Sequence, residues 1–540
     1  MTRELDIAAA AVDAAATVVG AGSRHLAHAS ADGGRVSVAK LDEHQVVAYD
    51  LAHAASAVEA CRVMLEYGRH GDVESRLARA FVADAVWDVA TRVLARESVW
   101  GVEAGDLADA LPFVESHRSP RFLTEIAEGL AEHGTGPSHL DDDLELARDT
   151  FRRFAQDKIR PHAERVHREN TDIPEELIAG LAELGGFGLS VPEEYGGYAE
   201  GSEQDYLAMV VATEELSWGS LGIGGSLITR PEILTRAIVR GGTEEQKQHW
   251  LPKIATGELL VGVMVTEPDY GSDVANIKVS ATPVDGGYAI NGVKTWATFA
   301  GRANVIMLLA RTDPDRAAGH RGLSLFVVEK EPAPGHSFAF EQAGGGKMDG
   351  RAIDTLGYRG MHSYEVAFSD WVVPAENLVG GEAGKGQGFY LQMEGFENGR
   401  LQTAARAVGL MQAAFDAGLA YAQERDVFGR AVFDYQLSKA KLARMAAIIQ
   451  GGRQFSYDVA RRMGRGEGTL EASMVKAYVC RAAEWVTREA MQLHGGMGYA
   501  EEFPVSRYFA DARVLSIFEG ADETLCLRVI ARRLAEQALS

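Results

Sequence analysis

The sequence predicts a mainly α-helical protein with a central β-domain. Apolar residues recur at helical spacing up to about residue 260 and again from about residue 376, whereas the stretch between them consists of short β-rich runs separated by Gly and Asp turns. A chain of 540 residues is too long for one ordinary core. We therefore predict four domains, which cover residues 1–137, 138–260, 261–375 and 376–540.

The first of these domains is an Ala-rich helical extension that ends at a predicted linker, His133–Pro137. Within it, Val18–Ser23 resembles the start of a dinucleotide-binding turn but lacks the third Gly and a preceding strand, so we predict a turn between helices. The segment Leu51–Arg62 resembles Leu442–Arg453 at four of twelve positions. Two interpretations stay open: the extension is a degenerate copy of part of the last domain, or it consists of independent helices.

Composition excludes several classes of function. The net charge of -23, from 77 acidic and 54 basic side chains, disfavours binding to nucleic acid or to anionic membranes. No apolar run approaches the roughly 20 residues of a spanning helix, and acids near the N-terminus argue against a secretory signal, so we expect a cytoplasmic protein. Cys61, Cys480 and Cys526 are widely spaced and form no CxxC pair, which predicts neither disulfides nor a zinc site but buried apolar side chains.

The β-domain contains two segments that could hold a flat, polar-edged ligand. The loop Met264–Asp273 can present N–H groups and hydroxyls, although a simple β-turn is the alternative. Asn291-Gly292 is typical of a type I′ hairpin turn and precedes the strand Val293–Thr298. Alternation then places Trp296 and Thr298 on one face, where an indole beside a hydroxyl could cover a cofactor, while a core Trp is the alternative. The other predicted strands are Val279–Thr282, Tyr288–Ile290, Val305–Ala310 and Leu323–Glu329.

Taken together, these segments resemble the acyl-CoA dehydrogenase family over residues 140–540. At least five motifs occur in the order of that family: Gly242–Lys247, the two β-domain segments (VTEPDYGSD and NGVKTWAT), Arg425–Arg430 (RDVFGR), Gln492–Tyr499 (QLHGGMGY) and Ile517–Gly520 (IFEG). The resemblance implies a helical domain, a β-barrel-like domain and a four-helix-bundle domain, which follow the extension.

The family resemblance also implies a bound FAD between the β-domain and the last helical domain, partly covered by a neighbouring subunit. Val265 and Thr266 are then expected at the flavin pyrimidine edge, Trp296 over the ring, Thr298 near N5 and Ser272 at pyrophosphate or pantetheine. The remaining expected FAD residues are Arg425, Phe428, Gln436, Gly495, Gly496, Ala521 and Glu523. A homodimer or tetramer is implied, because part of this set reaches the FAD of the partner.

The reaction of the family removes an α-proton while a β-hydride passes to flavin N5, so a carboxylate must act as base. Glu519, in IFEG, is the candidate. In isovaleryl-type relatives the base instead precedes an Arg on an earlier helix, and here Gly399 occupies that position before Arg400. By the same resemblance, Glu397 and Arg400 are expected to hold coenzyme A, with Ser272 and Gly520 also contacting the substrate.

Two features indicate a particular branch of the family: the long helical extension and the segment Gly344–Tyr364. Both resemble the branch whose substrate is (2S)-methylsuccinyl-CoA and whose product is mesaconyl-CoA, in the ethylmalonyl-CoA route. An electron-transfer flavoprotein is the implied acceptor. Desaturation of another short or branched acyl-CoA, an acyl-CoA oxidase and a non-catalytic flavoprotein are the alternatives. Ala521 and Ala297 replace the usual Thr and Ile and could make room for a branched acyl group, and the partner of the free substrate carboxylate is not identified.

Overall fold

The computed structural model describes residues 2–103 and 105–540. Its chain forms two compact units: residues 1–145 together with 403–540, and residues 146–402. Helix α9 crosses the first boundary and helix α16 crosses the second, so the predicted extension and the C-terminal helices belong to one unit. This grouping differs from the four predicted domains, which remain a prediction.

The N-terminal part of the first unit is helical, as predicted. Its helices are α1 (Thr2–Ser30), α2 (Val38–Asp42), α3 (Gln45–Tyr67), α4 (Asp72–Val93), α5 (Glu97–Trp100), α6 (Leu111–His117), α7 (Pro120–Glu128), α8 (Leu130–His133) and the start of α9 (Asp142–Phe154), and two short strands, β1 (Ala31–Asp32) and β2 (Arg35–Val36), pair antiparallel. The predicted linker His133–Pro137 lies between α8 and α9, as expected.

The prediction of a turn at Val18–Ser23 was wrong, because α1 runs through it without a break. The glycines serve close packing instead: a Cβ on Gly22 would come within 2.9 Å of the Trp100 ring. Helix α1, from Arg3 to Ser30, is the one described helix that is long and apolar enough to span a membrane. It packs against α3 and α4, and 44% of its most apolar window is buried.

The second unit carries the β-domain and the helices before it. Its helices are α10 (Arg160–Glu169), α11 (Glu175–Glu183), α12 (Glu203–Gly219), α13 (Thr229–Gly241), α14 (Glu244–Ala255), α15 (Gly381–Gly384) and the first part of α16 (Gly388–Glu424). A capping box begins α14, since Gln246 N–H donates to Thr243 Oγ1 and Thr243 N–H donates to Gln246 Oε1.

An eight-stranded mixed sheet forms the β-domain. Its strands are β3 (Val261–Met264), β4 (Ser280–Val284), β5 (Gly287–Thr298), β6 (Val305–Arg311), β7 (Leu323–Glu329), β8 (Ser337–Glu341), β9 (Lys347–Ile353) and β10 (Ser363–Pro374). They are arranged in the order β3-β6-β4-β5-β10-β9-β8, with β7 on β6. Alternate residues of β6 enter two cores, one shared with α13 and α14 and one within the sheet, so both faces of this apolar strand are buried.

The predicted hairpin turn at Asn291-Gly292 was wrong. Strand β5 continues through both residues, and the turn before it lies at Asp285-Gly286, where Gly286 has a φ of +82°. The Asn291 side chain exchanges two hydrogen bonds of 2.9 Å with Asp370 at a register shift in β10. Asn291 therefore secures a bulge across the sheet rather than a turn.

The C-terminal part of the first unit completes the helical bundle. After the end of α16 come the short strands β11 (Asp426–Val427) and β12 (Arg430–Ala431), then α17 (Gln436–Gly464), α18 (Thr469–Leu493), α19 (Gly496–Tyr499), α20 (Val505–Leu515), α21 (Asp522–Thr524) and, after a π-helical turn, α22 (Arg532–Leu539). Glycine-containing breaks end α17 at Gly464 and α18 at Leu493. Helix α3 of the extension packs against both α17 and α18.

Candidate active site

The second unit places Trp296 at an irregularity of the sheet. Opposite Glu365 of β10, strand β5 has two residues, Thr295 and Trp296, and Trp296 has a φ of +56°. This bulge interrupts the alternation that predicted a shared face with Thr298. The indole is 55% exposed, so the core-Trp alternative is wrong and a large apolar ring is open to a ligand.

Thr298 lies at the end of the same strand and is buried. It pairs with Ser363, and their hydroxyl oxygens are 3.0 Å apart. Ala297, between Trp296 and Thr298, is fully buried in the inner core of the sheet with Tyr364. The expectation that Ala297 makes room beside the ligand was therefore wrong.

The loop after β3, which contains Val265 and Thr266, is held in place by a buried ion pair. Glu267 accepts hydrogen bonds from the N–H groups of Lys278 and Val279, and Lys294 Nζ lies 3.0 Å from its Oε1. Lys294 Nζ also donates to the carbonyl of Val265 at 2.7 Å. Burial lowers the pKa of Lys294 to about 8, although Glu267 acts against this. The loop is thus a fixed platform rather than a simple β-turn.

This platform fits a flavin. The N–H of Thr295 donates to the carbonyl of Thr266, which joins the loop directly to the strand of Trp296. Among the described residues no hydrogen-bond partner is found for the Thr266 hydroxyl, so this half-buried group can bond to a ligand edge. Val265 is buried and Ser272 is exposed. An open indole and a free hydroxyl, both on a rigid support, match a planar ring with a polar edge.

The first unit contains Glu519, in the connection between α20 and α21. Its φ is +54° and the following Gly520 has a φ of +101°, so the carboxylate is carried on a left-handed turn. Trp296 and Phe428, two other predicted site residues, also have left-handed backbones. Such conformations cost energy in residues other than Gly and cluster at functional sites.

The carboxylate of Glu519 faces a guanidinium. Arg406, which is fully buried on α16, donates from Nη2 to Glu519 Oε1 at 2.7 Å and to Thr403 Oγ1 at 2.6 Å. The Thr403 hydroxyl lies 3.3 Å from Glu519 Oε2, and the Phe518 ring lies 4.7 Å from Arg406 Cζ. The surroundings of Glu519 therefore contain a fully buried cation beside the Phe518 ring.

Arg406 and Thr403 were missed from the sequence. One signal was present: Arg406 interrupts the small and apolar run LQTAARAVGL, where a helix packed on all sides should carry no charge. A second missed cation, Arg230 on α13, is 5% exposed. Its contacts are one hydrogen bond to the carbonyl of Ser226 and the Tyr358 ring at 5.8 Å, with no carboxylate partner among the residues described.

The structure places the other predicted site residues in two groups. Within the first unit, Arg425, Phe428 and Gln436 lie on or beside the β11–β12 hairpin, with Gly495 and Gly496 after α18, and all five are exposed; Phe428 is 99% exposed. Ala521 and Glu523 flank the start of α21. Within the second unit, Glu397, Gly399 and Arg400 lie on α16, where Gly399 is buried and the other two are half-buried.

The three predicted free cysteines are buried, as expected, and burial raises the pKa of each thiol. Their low reactivity leaves no cysteine nucleophile near Glu519.

Comparison with known proteins agrees with this combination of fold and residues. Family models for the N-terminal, middle and C-terminal domains of acyl-CoA dehydrogenase match residues 141–258, 262–371 and 386–535. The chain belongs to the acyl-CoA dehydrogenase family and is an FAD-dependent oxidoreductase that acts on a CH–CH donor.

Individual relatives sharpen this placement. The (2S)-methylsuccinyl-CoA dehydrogenase of Cereibacter sphaeroides is 40% identical over 522 residues, with 93% of each chain covered. Isovaleryl-CoA dehydrogenase of Solanum tuberosum is 33% identical, over 80% of this chain and 98% of the relative. The structure of butyryl-CoA dehydrogenase from Megasphaera elsdenii superposes with a TM-score of 0.66 at 30% identity, covering 73% of this chain and 98% of its own. Of these three, the methylsuccinyl-CoA enzyme matches the largest share of this chain.

Proposed function

We propose that this enzyme oxidises (2S)-methylsuccinyl-CoA to mesaconyl-CoA, as a step of the ethylmalonyl-CoA route in the cytoplasm. Glu519 removes the α-proton of the thioester, and FAD supplies the acceptor of the β-hydride. Gly399 supports this assignment because the rival position on α16 has no side chain that could act as a base. The relative at 40% identity over 93% of the chain supports the substrate.

The observation that carries the proposal is the buried Arg406. In (2S)-methylsuccinyl-CoA the free carboxylate is two bonds from the α-carbon, so any cation that binds it must lie close to the base. Arg406 Nη2 lies 2.7 Å from Glu519 Oε1 and has no access to solvent. A planar guanidinium can bond two carboxylates at once, and burying an anion without such a partner is costly.

Arg230 adds to the case for an anionic substrate. A guanidinium that is 5% exposed and lacks a carboxylate partner among the described residues requires an anion from elsewhere. We propose an anionic group of the substrate as this partner. Replacement by Met is then expected to weaken use of methylsuccinyl-CoA more than use of 2-methylbutyryl-CoA, which carries a methyl group in place of the carboxylate.

The flavin is held, in this proposal, by the platform of the second unit. Val265 and Thr266 bond its polar edge, Trp296 covers its ring and Thr298 lies near N5, with Ser272 at pyrophosphate or pantetheine. Arg425, Phe428, Gln436, Gly495 and Gly496 reach the FAD of a partner subunit in a dimer or tetramer, which is consistent with the 99% exposure of Phe428. Backbone groups of Ala521 and Glu523 complete the FAD contacts. Glu397, Arg400 and Gly520 bind the coenzyme A thioester.

A panel of acyl-CoA substrates tests the function directly. In the absence of oxygen, (2S)-methylsuccinyl-CoA is expected to bleach the absorbance of the oxidised flavin. With an artificial electron acceptor, its turnover should exceed the turnover of 2-methylbutyryl-CoA, succinyl-CoA or isovaleryl-CoA. Equal or better turnover of an uncharged acyl-CoA contradicts the substrate. We propose an electron-transfer flavoprotein as the natural acceptor, and stoichiometric peroxide formed in air without added acceptor contradicts that part.

A further inference from the structure

Asp522 connects the turn that carries Glu519 to the N-terminal extension. It follows Glu519 by three residues and is buried. Its Oδ2 accepts a hydrogen bond from the Tyr49 hydroxyl and lies 3.0 Å from His53 Nε2, and both of these residues belong to helix α3. The extension therefore supplies the two side chains bonded to Oδ2, while the Cys526 thiol donates to Oδ1 over a longer distance of 3.8 Å.

The same turn is closed by its own backbone and anchored by α18. The N–H of Asp522 donates to the carbonyl of Ser516 at 3.0 Å, which closes a loop around Glu519. The Ser516 hydroxyl donates to Glu484 Oε1 at 2.6 Å, and Lys476 Nζ donates to the carbonyl of Gly520. Two anchors thus come from the helix bundle, whereas the third, at Asp522, comes from the extension.

Electrostatics agree with a firm anchor. Burial opposes ionisation of Asp522, but the hydrogen bond and charge of His53, with the hydrogen bond of Tyr49, hold its pKa below the usual value. Burial and the bond to Asp522 raise the pKa of Tyr49, which keeps its hydroxyl a donor. A left-handed Glu519 persists only when its surroundings fix it, so loss of one anchor allows the turn to relax.

We propose that Tyr49 and His53 are positioning residues for catalysis: through Asp522, helix α3 of the extension keeps the Glu519 turn in the conformation that directs its carboxylate to Arg406. This inference rests on the proposed role of Glu519 as base. It gives the extension a part in turnover that goes beyond stability. The substrate-binding residues are not involved, so the effect falls on kcat rather than on KM.

The test uses the FAD-loaded enzyme with Tyr49→Phe, His53→Ala and the double variant. Tyr67→Phe is the matched control, because Tyr67 lies on the same helix, is buried and donates its hydroxyl to the carbonyl of Pro137, away from the turn. The double variant is expected to lose about tenfold or more in kcat, since small misplacements of catalytic groups are costly. Its KM, flavin content and flavin absorbance should stay within about twofold of the parent. His53→Gln, which retains a side-chain N–H donor, should recover part of the kcat lost in His53→Ala.

Three outcomes overturn the proposal. The first is an unchanged kcat in the double variant, whatever happens to its melting temperature. The second is an equal loss of kcat in Tyr67→Phe, which indicates a general structural effect. The third is a stoichiometric metal ion in the purified enzyme that is lost with His53, because His53, Asp522 and Cys526 offer ligand atoms within 4.8 Å of one another. The isosteric Tyr49→Phe keeps the test valid if His53→Ala fails to fold. If Glu519→Gln remains active, the base assignment fails instead, so the two failures are distinguishable.

Discussion

Arg406 Nη2 lies 2.7 Å from Glu519 Oε1, which joins the candidate base to a fully buried guanidinium. A guanidinium can bond two carboxylates at once, so in the proposed function Arg406 also binds the free carboxylate of the substrate.

Glu519→Gln removes the base but keeps the size of the side chain. We expect kcat to fall by about 10²- to 10⁴-fold, the usual contribution of a general base, while FAD remains bound. Stopped-flow measurement of flavin bleaching by methylsuccinyl-CoA reports the chemical step directly. Glu536→Gln, at an exposed ion pair on α22, is the control and should behave as the parent. Bleaching within tenfold of the parent contradicts the assignment.

Arg406→Met tests the substrate carboxylate. Loss of hydrogen bonds to a charged group should lower kcat/KM for methylsuccinyl-CoA by about 10- to 100-fold more than for 2-methylbutyryl-CoA. Steady-state kinetics give the ratio of the kcat/KM values for the two thioesters. An effect of the substitution on Glu519 that is common to both substrates cancels in this ratio. Arg453→Met removes another buried Arg of the same unit, one bonded to Gln412 and Gln450. It should lower stability and leave the ratio unchanged, and an unchanged ratio in Arg406→Met argues against a dicarboxylic substrate.

Trp296→Ala tests the flavin platform. Because the indole is 55% exposed, its removal should cost the protein little stability, but FAD should bind about 2- to 10-fold more weakly without the stacked ring. Fluorescence titration of the deflavinated protein with FAD measures this affinity. Trp87→Ala removes a 40%-exposed Trp from the extension and serves as the control. If Trp296→Ala and the parent bind FAD with equal affinity, the flavin ring does not stack on Trp296.

Lys294→Met tests the support beneath that platform. The variant leaves Glu267 buried without its cation, which should cost about 3–5 kcal/mol in the free energy of unfolding and weaken FAD binding through Val265. The double variant Lys294→Met with Glu267→Gln should lose less, because it removes the unpaired charge. Urea unfolding gives both values, and Lys278→Met, an exposed neighbour, is the control. A double variant less stable than Lys294→Met alone contradicts this account.

Asp522→Asn tests how the stability of the protein changes at acidic pH. The pKa of Asp522 is lowered in the folded protein from 3.8, so its ionised form stabilises the fold fully above pH 3.8. That contribution disappears as the pH falls through the lower folded pKa. The variant should therefore melt below the parent at pH 7, and the gap between them should narrow below about pH 4. Melting curves between pH 7 and pH 3 measure it, and a constant gap indicates that ionisation of Asp522 does not matter.

Much of the fold followed from local sequence patterns. The strands β4, β6 and β7 were predicted because periodicity and turn residues act over a few positions. The prediction of a hairpin turn at Asn291-Gly292 was wrong because the Asn291 side chain bonds to Asp370, a residue 79 positions later. The prediction of a turn at Val18–Ser23 was wrong because Gly22 in this segment packs closely against Trp100 and Leu51.

The sequence by itself determined the family, the flavin motifs and Glu519 as the candidate base, since each depends on residues close together in the chain. Only the tertiary structure decided what surrounds that base. Arg406 lies 113 positions before Glu519, and Tyr49 lies 473 positions before Asp522. Such contacts arise from how helices pack. A charge that is buried away from solvent then needs a partner, and no local sequence pattern indicates which residue that partner is.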